Sequence, residues 1–163
     1  MQATKDSFYV ALRDRLAQAY PTRTMTAGGV TRTALLAAEN DQPSVTTRQR
    51  DAFYLTWGEA RAVRPAISRL MALTCTLAYT SAGTDANGGL DRGRAIGEMD
   101  AEVLGICTPA MAEKYDYTGA NPADLGSSIF WSAPVFRTVA APPNCVAHEA
   151  SLTVYFYPEV TQV

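Results

Sequence analysis

The chain has a single histidine, His148, only three cysteines, and few charges: 14 Lys and Arg against 16 Asp and Glu in 163 residues, a formal net charge of −2. Each scarcity removes a class of function. Cys75, Cys107 and Cys145 are far apart and odd in number, so they form neither the close pairs of a zinc site nor the even count of a disulfide framework. They read as small buried apolar residues, with one disulfide, within or between subunits, as the alternative. A nearly balanced charge without a basic block gives no chain-wide attraction to phosphate backbones or anionic membranes. No apolar run approaches the roughly 18–20 residues that span a bilayer. Residues 1–14 are charged and amphipathic rather than signal-like, which predicts synthesis in the cytoplasm.

What is present is core material. Hydrophobic residues make up 47% of the chain, enough for one real core, and no interdomain linker, repeat or low-complexity tract interrupts it, so residues 1–163 are expected to form a single α+β domain. Phe8, Leu12, Leu16 and Ala19 recur at helical spacing, predicting an amphipathic helix over 5–20 with Thr4 or Asp6 as cap and Pro21 as terminator. Residues 21–30, with Gly28 and Gly29, read as a loop, 33–39 as a short strand, and 40–50 as an exposed polar stretch. Phe53, Leu55 and Trp57 alternate with Tyr54 and Thr56, a strand that Pro65 would break or redirect.

Alternation is sharpest in two places. Met71, Leu73, Cys75, Leu77 and Tyr79 form a bulky face, and Ala72, Thr74, Thr76 and Ala78 a small one. Helices should cover the bulky face, leaving the threonine face to solvent or to a neighbouring subunit. In 146–157, Val146, His148, Ala150, Leu152, Val154 and Phe156 share one face. Between these strands, Ile96, Met99, Val103 and Ile106 predict a helix that begins with Asp91 as its cap and is stopped by Pro109, with Glu98, Asp100 and Glu102 mainly on its outer surface. Residues 110–128 show no sustained period and read as a long contact-bearing loop, followed by a strand over 128–139.

The candidate chemistry is thin. His148 and Glu149 are adjacent in a strand and point to opposite faces, so they make a poor dyad. Cys145 and His148 have C-x-x-H spacing but no evident orienting partner. The run from Asp85 to Asp91 lacks several residues of a calcium loop, and Gly28-Gly29 and Gly88-Gly89 match no phosphate-binding pattern. These residues predict no catalytic, cofactor or metal site. Two groups remain as contact candidates. Arg48, Arg50, Arg61, Arg64 and Arg69 form a basic stretch interrupted by Asp51 and Glu59, either solvated strand ends or a salt-bridging subunit interface, with Arg61 and Arg64 taken forward. Tyr115, Tyr117, Phe130 and Trp131 place aromatics in or beside the long loop, as contact residues or as loop anchors.

The order of segments FYVALRDRLAQAYP, AFYLTWGEA, LMALTCTLAYTSAG, DRGRAIGEMDAEVLGIC and HEASLTVYFYP, spanning residues 5–158, resembles the tail terminator family of tailed bacteriophages. The resemblance is architectural and carries no sharp motif. It implies a mixed, mainly antiparallel β-sheet packed by two α-helices, and a structural, non-enzymatic virion protein without a cofactor. It further implies assembly of six copies into a ring at the head-proximal end of the tail. Contacts would run to the tail tube, to neck or connector proteins and, in a contractile tail, to a sheath. DNA would pass the channel without being held, and no membrane is involved. The extra length in 40–50 and 110–128 leaves room for a related neck or tail-completion role; the rival readings are a small enzyme using Cys145, His148 or the turn from Asp85 to Asp91, and a ligand-binding domain with an apolar groove beneath 110–128.

Overall fold

The computed structural model describes residues 1–41, 49–64, 69–84 and 86–159. In chain order the elements are α1 (Gln2–Ala19), β1 (Thr24–Ala27), β2 (Val30–Thr33), β3 (Leu35–Ala37), a one-turn α2 (Ala38–Asp41), β4 (Phe53–Ala62) and β5 (Met71–Ser81). A 3₁₀ turn (Ala86–Gly89) leads into α3 (Asp91–Ile106), then β6 (Met111–Asp116), β7 (Ala123–Trp131), β8 (Val135–Val139) and β9 (Val146–Phe156). The large sheet has the order β3-β4-β5-β9-β7-β6, with β8 also paired to β9. All its pairings are antiparallel except β3 with β4, so the sheet is mixed and mainly antiparallel, packed by α1 and α3 in an α+β arrangement. Among the described residues no helix is long and apolar enough to cross a membrane.

The inner face of the sheet is where the sequence periods meet. Phe8, Leu12 and Leu16 of α1 and Ile96, Met99, Val103 and Ile106 of α3 pack on Leu73, Cys75, Leu77 and Tyr79 of β5 and on Leu152, Val154 and Phe156 of β9. Burying each large side chain contributes about 1.5–3 kcal/mol, and the edge-on contacts of Phe8 with Trp57 and Trp131 add to it. A second, small cluster of Met25, Ala34, Leu36, Ala52 and Tyr54 lies on the opposite side, where the β1–β2 hairpin caps one corner of the sheet.

Several expectations need correction. Residues 21–30 are not all loop: β1 pairs with β2 about Gly28 (φ 58°) and Gly29 (φ 78°), the left-handed pair that a tight hairpin turn demands. The strand expected over 33–39 is only Leu35–Ala37, and α1 begins at Gln2, which puts Thr4 inside the helix and buried. Residues 110–128 are mostly the β6–β7 hairpin. On β7 strict alternation is broken by extra residues between Asp124 and Ser128, around Gly126 at φ 64°, and on β6 the one buried position is Lys114, so no apolar period marks the strand. The expected strand over 128–139 is two strands: β7 ends at Trp131 and β8 starts at Val135, on either side of Pro134, which has no N–H for a ladder.

Helix α3 starts at Asp91 as expected, but Asp91 is its first residue rather than its cap, and its carboxylate accepts from the Thr84 N–H and hydroxyl. The helix ends at Ile106 before Pro109 is reached, with the Thr108 hydroxyl and the Arg15 guanidinium taking its terminal carbonyls. Most of the polar stretch 40–50, Pro65 and Asp85 fall outside the described residues.

Candidate functional site

Strand pairing turns the outer face of the sheet into readable rows. Arg61 of β4 pairs with Ala72 of β5, Ala72 with Tyr155 of β9, Tyr155 with Phe130 of β7, and Phe130 with Met111 of β6. Directly paired residues share a face, so these five side chains run in one line across the sheet, away from the helices. The Phe130 and Tyr155 rings stack at 5.1 Å, and Met111 remains 71% exposed at the end of the line. A second row runs Thr56, Thr76, Ser151, Val135, small and polar until it reaches Val135, which is 70% exposed. A band of serine and threonine bordered by exposed apolar groups suits close contact with another protein, since it desolvates cheaply and leaves few long side chains to immobilise.

The contact candidates separate. Arg61, Arg64 and Phe130 are exposed, and Arg61 and Phe130 share the row just described. Tyr115 and Tyr117 are half-buried on and beyond β6, ring to ring at 6.2 Å, and the carboxylate of Glu113 accepts the Tyr115 hydroxyl and raises its pKa. Trp131 belongs to the core instead: its ring packs on Phe8, its Nε1–H donates to the Thr108 carbonyl, and Arg15 lies over its face at 4.8 Å. The end of β7 alternates, so Phe130 faces outward and Trp131 inward, a distinction that the loop reading of this region hid.

Two polar clusters on the inner side were not foreseen. Asp100, expected on the helix surface, turns to the sheet, where it accepts from Tyr79 and lies 2.9 and 3.0 Å from the Nδ1 of His148. The Nε2 of His148 is 3.3 Å from the Thr138 hydroxyl. His148 thus has the orienting carboxylate that the sequence did not reveal, while Glu149, as expected, is on the opposite face, paired to Arg137. Burial and then Asp100 push the Tyr79 phenol far above its ordinary range, so it serves only as a donor. Glu102 is likewise inward, receiving two hydrogen bonds from Arg23. The missed signal for both carboxylates was the helical phase: Asp100 and Glu102 are each adjacent to a buried stripe residue, Met99 and Val103 respectively.

The second cluster surrounds Lys114, which points inward from β6 and is fully buried. Its ammonium donates to the Tyr157 carbonyl and pairs with Glu159 at 2.8 Å. Burial opposes ionisation of Glu159, but Lys114, a backbone N–H and the terminal ammonium outweigh it and hold that carboxyl at about 2.

Cys75 and Cys107 are buried free thiols, both pushed up by desolvation, Cys107 to about 12, and Cys145 is a half-exposed free thiol. Among the described residues no group of three or more His, Cys, Asp or Glu is placed to hold a metal ion. A shallow depression of about 290 Å³ lined by Arg15, Gln18, Tyr20 and Gly105 contains neither the His148 nor the Lys114 cluster. No protein-family model matches the chain, and no curated protein does. The surface itself therefore carries the functional argument.

Proposed function

We propose that the chain is a structural subunit of a phage tail: a tail terminator, or a neighbouring neck or head–tail joining protein, that closes into a ring of six at the head-proximal end. In this reading it meets the tail tube on one side and neck or connector proteins on the other, with a sheath as a further partner in contractile tails, and its work is done by protein contacts rather than by catalysis. The observation that carries the reading is the open outer face, where the line from Arg61 to Met111 sets exposed apolar and aromatic groups across a serine- and threonine-rich sheet. Its chemistry is that of a protein interface, and both long helices lie on the other side.

Charge supports the same reading. A ring that lets DNA slide through should not hold it, and a chain of net charge −2 satisfies that condition. The Asp100–His148–Thr138 chain of groups acts here as a clamp between α3, β9 and β8.

The deciding experiment measures absolute mass over a concentration series, by light scattering coupled to size exclusion, then images the protein alone and mixed with tail tubes. Rings with an open centre that cap one end of a tube are the expected result. A protein that stays monomeric and does not bind tubes overturns the proposal.

A further inference from the structure

The two flanks of the large sheet differ in sign. On one flank lies β4, whose outer edge, among the described residues, pairs with β3 over Phe53–Leu55 and with no strand from Thr56 to Ala62. Arg61, Arg64 and Arg69 are exposed on and just beyond that stretch, and none of them is ion-paired among the described residues. Glu59, at the β4 register shift, is the one exposed carboxylate on this strand. On the other flank lies the β6–β7 hairpin with Glu113, Asp116 and Asp124, of which Glu113 and Asp124 are exposed. Its one lysine, Lys114, is buried and already neutralised by Glu159. Alternating strand directions put both groups toward the same end of the sheet, since Ala62 and Ala112 lie in one transverse row through Met71, Phe156 and Ile129.

We infer that the basic β4 flank of one copy of this chain docks against the acidic β6–β7 flank of the next, making a head-to-tail contact between copies. This deepens the ring reading above and rests on it. A closed ring needs two different, complementary patches on each subunit, and a two-fold dimer needs one patch that complements itself. Here basic against basic and acidic against acidic repel, so the charge pattern rejects a two-fold contact of either flank with its own copy and, for contact edge to edge, favours the head-to-tail arrangement. Surface ion pairs are individually weak, about 0–1 kcal/mol each. Their role is therefore to choose partner and register, while Met111, exposed beside Glu113, supplies apolar contact.

The contact is made by side chains and not by strand addition. Edge strand β4 is broken by a register shift between Trp57 and Ala60, where it carries one residue more than β5, whereas the extra residues of the β6–β7 pairing lie on β7. The β6 edge has its Tyr115 N–H bonded to the Ser7 hydroxyl of α1, and Lys114 points inward. These features block a continuous ladder with a new strand.

The test uses two variants of the full chain, Arg61→Glu/Arg64→Glu and Glu113→Lys/Asp124→Lys. The first has two acidic flanks and the second two basic ones. All four sites are exposed; Glu113→Lys/Asp124→Lys also removes the acceptors of the Tyr115 hydroxyl and the Gly126 N–H, so its melt is expected somewhat below the parent's, and association is compared at a temperature where all variants are folded. Each variant alone should associate about tenfold or more weakly than the parent at low salt, the parent's association should weaken with added salt, and an equimolar mixture should restore it by alternation. If the parent assembles and both variants assemble equally well, the flank contact is wrong while the ring reading stands. If parent and mixture alike stay monomeric at low salt and high concentration, the flank contact is also overturned, and tube binding then judges the ring reading separately.

Discussion

Strands β5 and β9 lend alternate residues to two surfaces of opposite character. Toward the helices they present Leu73, Leu77, Leu152 and Val154, all buried; away from them they present Thr74, Thr76, Ser151 and Thr153, the first exposed and the rest half-buried. The inner surface is closed, with its large groups partnered inside the chain. The outer surface has small groups at its centre and unpartnered apolar ones, Met111 and Val135, at its margin. One pair of strands thus separates stability from contact, because a period of two keeps the residue types apart.

That division is open to attack at graded strength. Phe8→Ala on the inner side removes the ring against which Trp57 and Trp131 pack, and should cost about 3–5 kcal/mol in urea unfolding. Tyr79→Phe removes a hydrogen bond to Asp100 and should cost about 1.5–3 kcal/mol, read by chemical denaturation. Glu159→Gln leaves the buried Lys114 without its counter-charge, but Glu159 is partly exposed and Lys114 keeps the Tyr157 carbonyl, so the cost should be about 1–2 kcal/mol. The linkage has a definite sign. Glu159 titrates at about 2 in the fold against an ordinary 4.5, so its contribution is complete above that ordinary value and lost as pH falls toward 2. Acid melts of the parent should lose that increment across this window, and those of Glu159→Gln should not.

On the outer side Phe130→Ala should lower monomer stability by only about 1 kcal/mol through loss of the Tyr155 stack, yet weaken association measurably by light scattering. Thr74→Ala, at the exposed centre of that face, should change the melting free energy by less than about 0.5 kcal/mol. A large loss from Thr74→Ala would mean that the outer face is as much a core as the inner one.

The strands with a clean period were legible in advance: β5 and β9 were expected over nearly their true spans, and so was the α3 stripe of Ile96, Met99, Val103 and Ile106. The β6–β7 hairpin was not, because β7 carries extra residues around its left-handed Gly126 that interrupt alternation, and the buried position of β6 is a lysine rather than an apolar residue. The threonine face of β5 was visible from its residues. The row from Arg61 to Met111 was hidden because it crosses five strands, and only their register brings residues so distant in sequence into line. The inward turn of Asp100 could be read from its helical phase beside Met99, but its partners Tyr79 and His148 could not, since they come from two different strands.

The packing of Phe8 has an optical consequence. The chain has two tryptophans, and both rings meet this one phenylalanine on α1, Trp57 at 5.7 Å and Trp131 at 5.2 Å. Intrinsic fluorescence then reports the lifting of α1 from the sheet. Assembly through the outer face should leave the emission maximum nearly unshifted, docking at the β4 flank should move it to the blue by further burying the half-exposed Trp57, and unfolding moves it to the red, so one unlabelled sample distinguishes docking of subunits from loss of structure.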